Sequence, residues 1–350
     1  MRSEPKSMNR RLLAALICAI ALPSHAAPAR GGYHVVDVFP VPGEGGFDYL
    51  TTDEVGRRLY LSHGDRVEVL DLDSGKVVGR VADTRGVHGI AVAPDLGRGF
   101  TSNGETSNVT IFDLKTLKPL GAVATGKGPD AIIYEPATRR VFTFNGGDHS
   151  ATAIDAASGR VLATIDLKGA PEFAAADGKG GLFVNLGPRS VGRLDAKALR
   201  LEEIRTLGPA CLGPTSMAMD QAHRRIFIAC ATNVMEVVNA DTLQTISEER
   251  ILPNTDGTVF DPATGDVFNA SIFGRLVIHH QDDPDKYSRI GIIQTMFRAK
   301  TLAFDSKTGR IFTMSQGYIH PAPTAQDPSP GEKPIPGSFV VQVIGKAGPR

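Results

Sequence analysis

Seven positions, spaced about 42 residues apart, carry side chains that could bind a cation or transfer a proton. Four of them are carboxylates, and the others are an imidazole, an ammonium and a hydroxyl. Calcium and magnesium prefer carboxylate oxygens, and a carboxylate or an imidazole can act as a general acid or base. A fold that gathers these positions would therefore create a concentrated polar site. They are Asp48, His88, Asp130, Glu172, Thr215, Asp256 and Lys300.

A second recurring position follows the first by about 15 residues and adds mostly amide and imidazole groups. It holds His63, Asn103, Asn145, Asn185 and Ser271. We expect the strongest members of both sets to bind a ligand together: Asp48, His88, Asp130, Glu172, Asp256, Lys300, His63, Asn103 and Asn145.

Two roles within this set can be assigned by chemistry. The oxygen-rich composition suits Ca²⁺ or Mg²⁺ more than zinc. The candidate metal ligands are Asp48, Asp130, Glu172 and Asp256. The candidate acid or base groups are His88, Asp130 and Glu172.

The same residues also fit a purely solvated ring of ion pairs. In the order of the repeats, Lys300 falls between Asp256 and Asp48 and could neutralise both. His88 falls between Asp48 and Asp130, whose charges favour its protonated form. Both interpretations remain open at this point.

The elements that position these residues belong to a repeat. The segments 129–138 and 255–264 match residue for residue in pattern, and each unit supplies four short apolar strands with tight turns between them. Gly75, Gly159 and Gly309 stand where hairpin turns need a positive φ. Helix-pair repeats would show apolar spacings of three and four, which are absent here. Four-stranded units of this length predict an all-β, seven-bladed β-propeller of antiparallel blades.

The blades are expected to begin near residues 47, 87, 129, 171, 214, 255 and 299, within one propeller domain over residues 33–346. The last unit supplies only three strands, so the segment 34–41 is predicted to complete it and close the ring. In a propeller the first strand is innermost. The recurring polar positions should then surround one end of the central channel, a space about 10 to 15 Å wide.

The N-terminus has the pattern of a cleavable signal peptide over residues 1–26. A basic Asn9-Arg10-Arg11 precedes the apolar stretch 12–22, which is too short for a comfortable membrane span. Translation could begin at Met1 or at Met8. We expect a periplasmic or secreted protein that does not remain in the membrane after the signal is removed.

Two cysteines, Cys211 and Cys230, remain after removal of the signal. An even count in an exported protein favours a disulfide, which would close a loop around the first strand of blade five. Two free buried thiols are the alternative.

A Pro-rich segment over residues 320–338 interrupts the last blade. It is too polar to form a blade strand, and we expect it either to be disordered or to act as a flap over the acidic ring.

Three short segments carry a family resemblance: Tyr60-Leu61-Ser62-His63, Phe100 to Gly104 and Val141 to Gly146. In pattern and period, over nearly all of the mature chain, the sequence resembles the YVTN-repeat, or YncE-like, bacterial seven-bladed propellers. This resemblance implies an exported or periplasmic propeller, a group whose members mostly lack an assigned chemistry.

Charge and motifs narrow the function. The 38 Lys and Arg residues balance the 38 Asp and Glu residues. The sequence also lacks the run of basic residues that would predict nucleic-acid binding. The sequence lacks a nucleophile elbow, a phosphate loop and a dinucleotide fingerprint. We expect a monomeric scaffold that binds a small molecule, a cation or a periplasmic protein at the channel end. The alternative is a cation-dependent, lactonase-like hydrolase or lyase that uses the same ring.

Overall fold

The computed structural model describes residues 32–322 and 331–346. The expected signal peptide, residues 1–26, lies outside them, as does the central part of the Pro-rich segment. Among the described residues the chain is almost entirely β-structure, with a single 3₁₀ turn at Pro94–Leu96. No helix in this part of the chain is long and apolar enough to cross a membrane.

Seven four-stranded antiparallel sheets form the blades of a β-propeller, which confirms the predicted fold. The strands of blades one to three are β2 (Leu50–Asp53), β3 (Arg58–His63), β4 (Arg66–Asp71), β5 (Val77–Val81), β6 (Val87–Ala93), β7 (Arg98–Asn103), β8 (Asn108–Asp113), β9 (Pro119–Ala124), β10 (Pro129–Glu135), β11 (Arg140–Asn145), β12 (Ser150–Asp155) and β13 (Val161–Asp166). Those of blades four to six are β14 (Pro171–Ala176), β15 (Gly181–Leu186), β16 (Ser190–Asp195), β17 (Arg200–Thr206), β18 (Pro214–Asp220), β19 (Arg225–Cys230), β20 (Val234–Asn239), β21 (Thr245–Arg250), β22 (Thr255–Asp261), β23 (Asp266–Ser271), β24 (Arg275–Asp283) and β25 (Lys286–Gln294).

Blade seven is built from both ends of the described chain. Its strands are β26 (Ala303–Asp305), β27 (Arg310–Ser315), β30 (Val340–Lys346) and β1 (Tyr33–Pro40). Strand β1 pairs antiparallel with β30, from Tyr33 opposite Lys346 to Pro40 opposite Val340. The N-terminal strand therefore completes the last blade, as predicted.

The core lies between the blades. Seven buried apolar clusters occur, one at each junction of adjacent blades. Between blades seven and one, for example, Phe312 and Phe339 pack with Leu59 and Leu61. The second and third strands of a blade are buried on both faces, because neighbouring blades cover both, so burial runs continuously along them and does not alternate.

In four of the seven blades an arginine at the start of the second strand joins the blade to the next one, on the face away from the first-strand starts. The guanidinium groups of these arginines donate to backbone carbonyls in a turn of the following blade. The pairs are Arg58 with Leu114, Arg98 with Ala157, Arg140 with Lys197 and Arg225 with Pro284.

Blade six carries Asp266 at this position instead of arginine. Its buried carboxylate accepts hydrogen bonds from the Tyr33 hydroxyl, at 2.8 Å, and from His280 Nδ1, at 2.9 Å. Lys346 Nζ lies 3.7 Å from the same carboxylate. Asp266 thus binds both terminal strands, at the junction where the ring is closed.

The disulfide between Cys211 and Cys230 is present, with the two Cα atoms 5.3 Å apart. Both residues are fully buried. The bond joins the loop before β18 to the end of β19, which confirms the prediction.

The described ends of the Pro-rich segment form no blade strand. A two-residue strand, β28 (Tyr318–Ile319), pairs with β29 (Lys333–Pro334). Gly317 fixes the base, because its N–H donates to Ser338 Oγ at 2.8 Å and its carbonyl accepts from Ile335 N at 2.8 Å. Residues 323–330, the centre of the segment expected to be disordered or to act as a flap, lie outside the residues that the structure describes.

Candidate functional site

The recurring polar positions coincide with irregularities in the innermost strands. The strand register shifts between Val87 and Ile90, between Pro129 and Ile132, and at the corresponding points of β14 and β22. His88, Asp130, Glu172 and Asp256 therefore lie in bulges, where an inner strand leaves its ladder. A bulge changes the direction of a side chain, which explains how these groups turn toward the channel end that we call the mouth.

Hydroxyl groups fix the backbone of two ring residues. Ser62 Oγ accepts a hydrogen bond from Asp48 N at 2.8 Å, and Thr301 Oγ1 of the neighbouring blade donates to the Asp48 carbonyl. Ser102 Oγ donates to the carbonyl of Asp130, one blade further on. The ring positions are thus tied to one another across the blade junctions.

Asp48, His88 and Asp130 form the tightest group. His88 Nδ1 lies 2.7 Å from Asp48 Oδ2 and 3.7 Å from Asp130 Oδ1. One ligating atom from each residue fits within 4.8 Å of the other two. Asp130 Oδ1 is itself buried and accepts no hydrogen bond.

Lys300 continues the ring on the other side of Asp48. Its ammonium pairs with Asp256 and lies 3.5 Å from Asp48 Oδ1. Glu172 forms no ion pair with any described residue. The ring positions therefore contain four carboxylates against one ammonium and one imidazole, so negative charge is in excess among them.

The pKa values follow this imbalance. Burial, and next the Asp48 charge, raise the pKa of Asp130 to about 7. Burial, and then Asp256, also raise the pKa of Glu172 above its usual value. The hydrogen bond to Asp48 raises the pKa of His88. Burial opposes the charged form of Lys300, but Asp256 and Asp48 outweigh it and raise the pKa of the ammonium.

Two aromatic rings meet across the channel close to this charge. The rings of Tyr49, from blade one, and Phe173, from blade four, have centroids 5.5 Å apart. Burial raises the pKa of the Tyr49 phenol, and the ring carboxylates, Asp130 foremost, raise it further. We take this pair as an aromatic floor beside the ring. Sequence reasoning missed it, because the repeat spacing does not show which side chains meet across the channel.

The second expected ring does not line the mouth. Asn103 is fully buried, with its oxygen accepting from Thr101 at 2.8 Å and its nitrogen donating to Asn108 and Thr110. Asn145 repeats this pattern with Thr143, Ser150 and Thr152. These amides join strands within a blade and have no group left for a ligand.

The remaining members of both sets are also used by the fold. The Asn185 side-chain amide donates a hydrogen bond to the Ser216 carbonyl at 3.1 Å. The Ser271 hydroxyl donates to the Pro253 carbonyl at 2.7 Å, and the Thr215 hydroxyl donates to the Thr255 carbonyl at 2.5 Å. His63 is buried against Phe339, with ring centroids 4.4 Å apart. Burial, together with Arg66, lowers the pKa of His63 to about 4.

The expected metal set changes accordingly. The structure groups Asp48 and Asp130 with His88, and it leaves Glu172 and Asp256 outside that cluster. An imidazole among the nearest ligands favours Mn²⁺, Fe²⁺ or Zn²⁺ over Ca²⁺, whose ligands are oxygens. Two carboxylates and one imidazole could hold such an ion and leave coordination positions for water or a substrate.

Two pockets lie at the mouth on either side of Lys300 and Ile272. One of about 200 Å³ is lined also by Phe47, Arg298, Gln316 and Tyr318. The other, of about 220 Å³, is lined by Thr215, Asn254 and Asp256 among others. A bound molecule could thus lie beside the charged ring.

No family model matches the chain, and no curated protein matches it. Among solved structures, hydrazine synthase from Kuenenia stuttgartiensis is similar with a TM-score of 0.69 and 15% identity, over 78% of this chain and 94% of that one. A chain of the mitotic checkpoint complex has a TM-score of 0.71 and 13% identity, over 96% of this chain and 99% of that one. U3-55K has a TM-score of 0.70 and 10% identity, over 89% of this chain and 99% of that one. At these identities the comparisons support the propeller fold alone.

Proposed function

We propose that this protein is an exported propeller of the YVTN-repeat, YncE-like type, and that it binds a divalent cation at the mouth through Asp48, His88 and Asp130. The observation that carries the proposal is the close approach of three ligating atoms, within 4.8 Å. The basic and apolar pattern of residues 1–26 and the Cys211–Cys230 disulfide support export to the periplasm or the medium.

The electrostatics of the ring favour a cation. Four carboxylates face two groups that can be positive, and burial, followed by the neighbouring Asp48 charge, raises the pKa of Asp130 to about 7. A divalent ion supplies positive charge and competes with the protons on Asp130 and on His88, whose pKa is also raised. Its affinity should therefore fall at least about tenfold for each pH unit below 7.

An enzymatic role is the second candidate. Asp130 would be occupied as a ligand of the cation, so the acid or base would be Glu172, which lies outside the ligand set and whose pKa is raised by burial. The cation would polarise a carbonyl, as in a cation-dependent hydrolase or lyase. Small molecules or a periplasmic protein partner would engage the same mouth in either case.

The test is elemental analysis of the dialysed mature protein, with thermal melts in added Mn²⁺, Zn²⁺, Ca²⁺ or chelator. The double substitution Asp130→Asn with Glu172→Gln removes two charges and keeps the size of both side chains. Wild type should retain one equivalent of metal, and chelator should lower its melting temperature. The double variant should retain no metal, and chelator should not change its melting temperature. Asp166→Asn, on the exposed outer strand of blade three, is the matched control. A metal-free wild type with an unchanged melt would refute the cation site.

A further inference from the structure

Arg298 departs from the repeat at a position close to the mouth. In four blades the residue two positions before the ring residue has a positive φ: 63° at Gly86, 59° at Gly128, 58° at Gly213 and 52° at Asn254. Blade seven places an arginine here, at φ 65°. Arg57, Arg139 and Arg224 also have a positive φ, so Arg298 is distinguished by the placement of its side chain in a pocket and not by its backbone.

The backbone of Arg298 otherwise follows the repeat. Its N–H donates to the Ile272 carbonyl at 2.7 Å, as Asn254 N does to Ala231 at 2.8 Å and Gly213 N to Pro188 at 2.9 Å. Gly or Asn serves the backbone at this position in those four blades, so the fold does not require an arginine. The environment of the arginine side chain therefore needs a functional explanation.

The guanidinium of Arg298 lies in the mouth, in the pocket of about 200 Å³. It stacks on Tyr318, with Cζ 4.5 Å from the ring centroid. Nη2 pairs with Glu332 Oε2 at 2.9 Å, but Nε is buried and makes no hydrogen bond with any residue that the structure describes. The Nε–Nη2 edge is a geometry that binds a carboxylate with two parallel hydrogen bonds, and here only half of it is used.

The other walls of the pocket complete an acid-binding environment. The Lys300 ammonium and the largely buried Gln316 amide provide polar groups, and Phe47, Ile272 and Tyr318 provide apolar surface. The volume is below the roughly 300 to 1,000 Å³ of drug-sized sites, so the fitting ligand is small.

We propose that this pocket binds a small organic carboxylate with a flat apolar body, anchored on Arg298. Glu332, from the hairpin beside the pocket, occupies the guanidinium in the free protein and is displaced by the ligand carboxylate. The pocket adjoins the ring through Lys300, but Asp48, His88 and Asp130 do not line it, and binding does not require a cation there.

The experiment uses 4-fluorobenzoate as the probe and follows its ¹⁹F line width on the mature protein, with chelator present. Wild type should broaden the signal. Glu332→Gln frees the guanidinium and should tighten binding about fivefold, the order expected for loss of one partly exposed competing ion pair. The cationic analogue 4-fluorobenzylamine should not displace the acid.

Arg298→Asn separates a binding role from a structural one, because it gives blade seven the residue that blade six already has. We expect loss of 4-fluorobenzoate binding with a melting temperature equal to or above that of wild type. Arg200→Ala, an exposed arginine on β17, is the control and should bind normally. Unchanged binding in Arg298→Asn, a lowered melting temperature in that variant, or no binding by wild type and Glu332→Gln would each overturn the proposal.

Discussion

Removal of the Asp266 carboxylate should weaken the closure of the ring more than any ordinary surface substitution. The carboxylate is about 2% exposed and accepts hydrogen bonds from Tyr33 of β1 and from His280. Lys346 of β30 lies 3.7 Å away and stacks 4.6 Å from the Tyr33 ring centroid. One side chain therefore holds both strands that close blade seven against blade six.

The magnitude follows from these contacts. A hydrogen bond to a charged group contributes about 1.5 to 3 kcal/mol, so Asp266→Ala should lower the free energy of unfolding by about 3 to 6 kcal/mol. Tyr33→Phe removes one of the two bonds and should cost about half as much. Asp166→Ala changes an exposed carboxylate on an outer strand and should stay within about 1 kcal/mol.

Urea denaturation followed by circular dichroism measures all three variants. The transition should move to lower urea with an unchanged slope if the ring still unfolds as one unit. A cost for Asp266→Ala no larger than that of Asp166→Ala would refute the role assigned to this carboxylate. If Asp266→Ala and Tyr33→Phe lower the free energy of unfolding by the same amount, the hydrogen bond from His280 to Asp266 does not contribute to stability.

Three further predictions concern stability. Replacing Cys211 and Cys230 by alanine should lower the free energy of unfolding by about 3 kcal/mol, and denaturation curves equal to wild type would contradict this. Arg140→Ala removes donors to two carbonyls of blade four and should cost about 1 to 3 kcal/mol in the same assay, whereas Arg200→Ala should not. Burial lowers the pKa of His279 to about 4, so between pH 6.5 and 4 only the unfolded chain takes up this proton. Stability should fall through that window as pH falls, by about 3 kcal/mol at most, and His279→Gln should remove this part of the slope.

The sequence was sufficient for the fold because the units repeat the same strand pattern and similar turns. Gly75 and Gly159 fix two of the hairpins, while Leu117, Leu199 and Leu243 take the positive φ in the equivalent turns. The missing fourth strand of the last unit required the segment near Tyr33. The role of Asp266 was not foreseen. In the repeat, Asp266 occupies a position where other blades have arginine. Tyr33 contacts Asp266 only because the folded ring places β1 beside blade six.

The site was predicted in part. Spacing alone located Asp48, His88 and Asp130, since equivalent positions of a closed ring meet at one end. It also selected Asn103, but spacing does not show that Thr101 and Thr110 satisfy that amide within the blade. Contacts across the ring, such as the aromatic floor, depend on geometry that no single repeat contains.

The most direct test of the cation site is a Co²⁺ titration of the mature protein at pH 7.5, followed by visible absorption. We predict a ligand-field spectrum that saturates at one equivalent, disappears in His88→Gln and is kept in Glu172→Gln, because Glu172 lies outside the cluster. Absence of a spectrum in wild type, or an equal spectrum in His88→Gln, would contradict a metal centre at Asp48, His88 and Asp130.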